Sequence, residues 1–348
     1  MNTLPDDLLC RCLARVPLAD RVPAERVCKG WRTAFASRAY TVARRACAEP
    51  AWLVVGGRDG TGRVLDQCHM LDVSLRKVAQ LAPRHSASAG SAVIPGLGVL
   101  VMGGYDEAQQ RRATAWVHDL QAGSTWRHWA DLPAPCGRPS LCALGESIYV
   151  DCIVGPGDDR QSHLLRYDKQ GNLLETIQKP AAIRRPLGDA PVLCAISGRL
   201  FMMTRGSLIG AHPVIYRMDS YDPATGEWRR MPDPPIQAIE LKAAVLAGVL
   251  YVMGGFVRRV TPGALPGDVD PIADVQVFDG QEWSVGPPLP SREAFEYAVS
   301  VGDSILAITN VMSSNPTAMV LCNGAWRRFL FWYFQFFKDC AVAGGHSA

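Results

Sequence analysis

"LYVMGGF", residues 250–256, decides how this chain is read, because two earlier stretches nearly repeat it: "LVVGG" at 53–57 and "VLVMGG" at 99–104. Each is an apolar, strand-like run that ends in two glycines and gives way to a variable polar loop. Weaker copies follow the same outline: "IYVDCI" at 148–153, "LFMMTR" at 200–205 and "ILAITN" at 305–310. With the first copy written as "WLVVGG" (52–57), the six end at 57, 104, 153, 205, 255 and 310, in steps of 47, 49, 52, 50 and 55. After each comes a second strand that closes on Asp72, Asp119, Asp168, Asp222, Asp279 or Asn323. A tight turn follows, clearest in "YDPATGEW" (221–228), where Pro223 presets φ and Gly226 relieves the return. Four copies then carry a tryptophan (Trp126, Trp228, Trp283, Trp326), and some 16 or 17 residues beyond it another apolar run ends in or beside glycine.

Four strands in a unit of about 50 residues make one blade of a β-propeller, and the step matches the kelch class. A single sheet of this kind cannot bury both faces, so the blades must stack around an axis. Residues 51–345 therefore resemble kelch-repeat propellers, and the fold expected is mainly β, a six-bladed propeller. The copies are uneven. The double glycine stands only in repeats 1, 2 and 5, and is Cys152-Ile153, Thr204-Arg205 and Thr309-Asn310 in the others; repeats 1 and 3 lack the tryptophan. The chain enters at Trp52 already in a glycine strand, so the first blade needs a strand from elsewhere. "CAVAGG" (340–345) lies beyond Trp326 as "YAVSVG" lies beyond Trp283, so residues 341–343 are expected to pair beside 52–55 and close the ring. The aromatic run "FLFWYFQFF" (329–337) is about half a membrane span long and is expected to pack under that closure, with an aromatic partner-binding patch as the alternative.

The chain has 348 residues, 48% of them hydrophobic, with 32 Gly and 25 Pro, which favours many short elements joined by turns. Its net charge of +3 is uneven: residues 1–50 hold nine Lys/Arg against five Asp/Glu, and the remainder 27 against 28. A neutral body argues against nucleic acid as a partner. The eleven cysteines are odd in number and irregularly spaced, the N-terminus carries acids where a signal peptide needs bases, and no run approaches a membrane span. The expected location is a reducing one, cytoplasmic and/or nuclear, with no membrane partner.

Residues 1–48 read differently. Leu9, Cys12, Leu13 and Val16 recur at helical spacing behind Pro5, Asp6 and Asp7, and a second helix is expected from Pro23, with Ala24, Val27, Cys28, Trp31 and Phe35 as its stripe. So short a module leaves apolar surface facing a partner or the rest of the chain. "LPDDLLCRCLARVP" and "VCKGWR" resemble the two separated pieces of an F-box, and an F-box followed directly by kelch repeats resembles the substrate receptors of SCF-type ubiquitin ligases. The resemblance implies that Leu4, Pro5, Leu8, Leu9, Leu13, Val27, Cys28 and Trp31 line or support the groove contact with a Skp-type adaptor, and through it a cullin, while the propeller holds a client protein.

The chemistry of an enzyme is not evident. GxSxG, P-loop, GxGxxG and HExxH are absent, the seven histidines never fall at helical metal-ligand spacing, and Cys10 and Cys12 point different ways on their helix. No catalytic residue, metal or cofactor is expected. His118 and His128 suit core or surface roles, Cys136 and Cys142 suit free thiols, and Asp158-Asp159 suit a solvated loop. A galactose-oxidase-like or sialidase-like propeller would need a metal cluster or an arginine triad; a non-ubiquitin kelch scaffold would not need an F-box. Arginines follow the glycine strands (Arg58, Arg205, Arg258, Arg259) or precede the first strands (Arg84, Arg138, Arg292). In kelch receptors these loops face the propeller openings, so Arg58, Arg138, Arg205, Arg258, Arg259 and Arg292 are the candidate client contacts, suited to carboxylates.

Overall fold

The computed structural model describes residues 5–16, 20–40, 43, 49–58, 61, 63–72, 77–81, 87–119, 125–154, 161–183, 191–205, 216–258, 268–292, 295–309, 317–330 and 341–347. Leu4, Arg84, Arg259 and most of the aromatic run lie outside them.

Helices come first, three of them bounded within the described residues. α1 (Asp6–Leu13) starts behind Pro5 with Asp6 and Asp7 in its first turn, where carboxylates suit the helix dipole. It buries Leu13, and Leu9 and Val16 pack against the same core as expected, but Cys10 is buried and Cys12 is exposed. The single second helix expected from Pro23 is two: α2 (Arg21–Glu25) and α3 (Lys29–Phe35). Cys28 breaks them apart. Its backbone is extended (φ −160, ψ 166) and its thiol caps α3 by accepting the amide of Trp31 at 3.4 Å. The helices share a small core of Cys10, Leu13, Ala14, Ala24, Ala34, Phe35 and Tyr40.

The rest is β. The described residues form six four-stranded antiparallel sheets and one two-stranded ribbon. Sheet 1 joins Ala341–Ser347 to Glu49–Val55, Cys68–Asp72 and Lys77–Leu81. Sheet 2 runs Gly90–Ile94, Gly98–Met102, Arg112–His118, Arg127–Cys136, and sheet 3 runs Ser140–Leu144, Ser147–Val154, Gln161–Asp168, Leu173–Ile177. Sheet 4 is Val192–Ile196, Arg199–Arg205, Tyr216–Asp222, Glu227–Arg230; sheet 5 is Lys242–Leu246, Val249–Met253, Val275–Phe278, Trp283–Val285; sheet 6 is Phe295–Val301, Ser304–Thr309, Thr317–Cys322, Ala325–Leu330. The ribbon, Phe256–Arg258 with Val269–Pro271, grows from the loop of sheet 5.

The first strands of the sheets pack side by side in sequence, and Ala341–Ser347 lies between those of sheets 6 and 2, so they surround an axis. Apolar cores fill the spaces between neighbouring sheets. One holds Trp52, Val54 and Leu71 of sheet 1 against Leu306, Ile308, Ala318 and Val320 of sheet 6. Sheet 1 meets sheet 2 through Leu53, Val55, Cys68, Val99 and Val101. This is a β-propeller. The late strand pairs in register with the first: Trp52 with Gly344, Leu53 with Ala343, Val54 with Val342 and Val55 with Ala341.

The double glycine has a steric cause. In sheet 2, Gly103 (φ 64) and Gly104 (φ 86) turn the chain so that the amide of Gly104 reaches the carbonyl of Cys136 at 2.9 Å and Tyr105 pairs with Ala87. A Cβ on Gly104 would lie 2.6 Å from the oxygen of Ala87, and one on Gly255 would lie 2.5 Å from that of Ile239. Where glycine is missing, in sheet 3, the hairpin runs straight on, with Val154 opposite Gln161. The glycine strand is thus the second strand of its sheet, one position out from the axis.

The tryptophans staple sheets together. Trp228, Trp283 and Trp326 each donate the indole N–H, at 2.9 Å, to a carbonyl just past the fourth strand of the preceding sheet: Gln178, Pro232 and Pro287. Trp126 packs likewise against the core between sheets 1 and 2. Sheet 3 has no such residue, but Trp129 of sheet 2 donates to the carbonyl of Lys169 in its outer turn at 2.9 Å.

Candidate functional site

Two surfaces stand out. On the helices, burial separates the adaptor candidates. Pro5, Leu8, Val27 and Cys28 are exposed, Leu8 by 43% and Val27 by 62%, whereas Leu9 and Trp31 are half-buried against the small core. Leu13 is 2% exposed and belongs to that core. It supports the surface from below. The helices therefore satisfy a core of their own and still present large apolar side chains to solvent, which a helix-in-groove contact would cover.

The second surface is one end of the propeller. Because the strands alternate in direction, the loop from second to third strand and the link from fourth strand to the next sheet leave from the same end. The described arginines of both sets, Arg58, Arg138, Arg205, Arg258 and Arg292, therefore share one face. Arg138 and Arg292 are exposed there. Arg205 ends the second strand of sheet 4 opposite Tyr216, and Arg258 stands opposite Val269 in the ribbon. Arg58 is different: half-buried, its guanidinium lies 5.9 Å from the centre of the Tyr105 ring, joining sheets 1 and 2. That contact gives it structural work.

Sequence reasoning passed over Lys242. It opens the first strand of sheet 5, opposite Met253, so it stands half-buried at the mouth of the axis on the same face. The signal was present in "LKAAVLAG", a charge at the head of an inner run where other repeats begin with Gly90, Ser140, Val192 or Phe295.

The remaining reactive groups are engaged or inert. His118 is buried with its ring edge-on to Trp126 at 5.2 Å, and His128 Nε2 lies 2.9 Å from Asp131 Oδ1. Neither Cys136 nor Cys142 is in a disulfide. Burial pushes the Cys142 thiol well above its ordinary value and that of Cys194 up to about 12, so neither is a nucleophile near neutrality. Among the described residues no group of three or more His, Cys, Asp or Glu is placed to hold a metal ion. No helix among them is long and apolar enough to cross a membrane.

Comparison with known proteins agrees with this architecture. Residues 1–41 match the F-box domain family. The F-box/kelch-repeat protein At1g27420 of Arabidopsis thaliana is 24% identical over 333 residues, covering 91% of this chain and 87% of that protein. A second Arabidopsis F-box/kelch-repeat protein, At4g34170, is 30% identical over 151 residues, 43% of this chain and 45% of its own length. Among solved structures, that of YjhT superposes with a TM-score of 0.51 at 16% identity, over 70% of this chain and 83% of YjhT, a likeness of fold. The chain carries an F-box domain at its N-terminus and is homologous to plant F-box/kelch-repeat proteins.

Proposed function

We propose that this protein is the substrate-receptor subunit of an SCF-type ubiquitin ligase. The helices bind a Skp-type adaptor and, through it, a cullin; the propeller holds a client protein and contributes no chemistry of its own. Its work is to raise the effective concentration of the client beside a ubiquitin-loaded enzyme. The reading places the protein in the cytoplasm or nucleus, where that machinery acts.

The observation that carries it is the exposure of Leu8 and Val27 on a helical module whose core is complete without them. The six four-stranded sheets support a six-bladed propeller as the client platform. On its loop face Arg138, Arg205, Arg258 and Arg292 remain the proposed client contacts, joined by Lys242, and Arg259 remains one from its place in the sequence.

Co-precipitation with a purified Skp adaptor tests the reading. The natural chain is expected to bind, and Leu8→Asp with Val27→Asp to abolish binding while the propeller melts unchanged. Failure of the natural chain to capture any such adaptor overturns the reading.

A further inference from the structure

Asp151, Ser162 and Lys179 form a polar cluster buried inside sheet 3, and at the place of Asp151 every other sheet carries an apolar side chain. Asp151, Ser162 and Lys179 are 0, 2 and 3% exposed. Ser162 Oγ donates to Asp151 Oδ1 at 2.6 Å, and Lys179 Nζ donates to Asp151 Oδ2 and to Ser162 Oγ. The strand registers locate the same positions in the other sheets. Asp151 lies just before the site of the double glycine, where the other sheets bury Val55, Met102, Met203, Met253 and Ile308. Ser162 and Lys179 stand two residues outward from the pair Leu164–Ile177. Counted from Ala115–Ala130 in sheet 2, those places hold Ala113 and Leu132. Counted from Val275 and Gly286 in sheet 5, they hold Ala273 and Pro288.

The molecule therefore already contains apolar solutions for this site, Met102–Ala113–Leu132 among them. A buried ion pair seldom adds stability over such a set, because desolvating both charges offsets their attraction. Its effect is selective: either partner alone is strongly disfavoured, so each accepts only the other. Sheet 3 is also the repeat that has neither the double glycine nor the outer tryptophan. Its fourth strand, Leu173–Ile177, leaves every residue but Ile177 exposed. The link beyond that strand is otherwise held by the buried Ile183 and by the Trp228 bond to the Gln178 carbonyl, an apolar contact and a backbone acceptor of kinds that other sheets offer as well.

We propose that Asp151, Ser162 and Lys179 form a registry lock. The cation on the link is accommodated only by the sheet that offers a carboxylate at that position, and the carboxylate is closed to every apolar link. During folding this fixes the third sheet in its place in the ring.

The test compares three forms of the full chain. Asp151→Met with Ser162→Ala and Lys179→Leu copies the arrangement of sheet 2; Lys179→Leu alone leaves the carboxylate unpaired. The triple variant is expected to keep the natural melting temperature or exceed it. After dilution from denaturant, however, its yield of monomer by size exclusion falls about threefold or more, the rest appearing as dimers and aggregates. The single variant loses stability outright. A triple variant that refolds with the natural yield would show that registry does not depend on the charges. One that melts as low as the single variant, or fails to fold, would show that the triad supplies stability instead, and either result overturns the proposal.

Discussion

Replacing Gly104 by alanine should cost far more than replacing Gly145, although both glycines lie at positive φ, 86 and 60. At Gly145 an added Cβ meets nothing within 4 Å, and the matching hairpin position in sheet 5 is already alanine, Ala247 at φ 51. The cost there is the left-handed backbone alone, about 1 kcal/mol. At Gly104 the same methyl would sit 2.6 Å from the Ala87 oxygen and 3.0 Å from the Ala89 Cβ. Relief requires the strand and the link to part. That breaks the bonds from Tyr105 N to Ala87 O (2.8 Å) and from Ala87 N to Tyr105 O (3.3 Å). At about 1 kcal/mol for each bond, the total loss is about 3 kcal/mol. Equilibrium denaturation, with slopes checked for a common unfolded state, measures the difference, and amide exchange at Ala87 and Tyr105 locates it. Equal losses for the two variants, or unchanged exchange at Ala87 and Tyr105 in Gly104→Ala, would refute the account of the double glycine given above.

Removing residues 339–348 should lower the melting temperature sharply or cause aggregation, because sheet 1 loses the strand paired to Glu49–Val55 and bares an edge; an unchanged melting curve contradicts this. Leu13→Asp should melt the helical module, seen as lost helical circular dichroism in an isolated fragment or as local amide exchange in the full chain, since Leu13 is core. Trp228→Phe should cost about 1 kcal/mol through the lost bond to the Gln178 carbonyl, read by denaturation. The amides of Glu282 and Gln281 hold the exposed Asp279 carboxyl below its ordinary 3.8. A depressed folded value stabilises above the unfolded one and is lost as pH falls through the folded one. Asp279→Asn should therefore flatten stability against pH below about pH 4 and leave neutral pH little changed.

The features legible in the sequence were those set by local chemistry and repeated. The glycine strand, its Asp-led turn and the following tryptophan each answer a demand of backbone or sheet packing, so they recur at readable spacing. Closure by residues 341–343 followed from the same count, and the strand runs on to Ser347. What escaped depends on contacts between distant segments. The helical stripe did place Leu13 inward, but that it is core and Leu8 exposed surface, where the F-box likeness gave both to the adaptor contact, depends on the packing of α3. Arg58 reads as a loop cation until Tyr105, 47 positions on, is found beneath it. Asp151 and Lys179 are 28 residues apart, and nothing near either announces the other. The break between α2 and α3 turned on a cysteine acting as a cap, a role the apolar stripe concealed.

The pairing of Ala341–Ser347 with Glu49–Val55 also sets an order in time. The two strands are separated by about 290 residues, so during synthesis at about 5–20 residues per second the first waits roughly 15 to 60 s for its partner. Over that interval the helices, whose core draws only on early residues, can already be folded and, on the proposed function, receptive to the adaptor. The face that would select a client cannot yet exist as a ring. A nascent chain would thus be competent to join an assembly before it can discriminate what the assembly acts on, and the edge at Trp52 is the place where a chaperone would have most reason to stand guard.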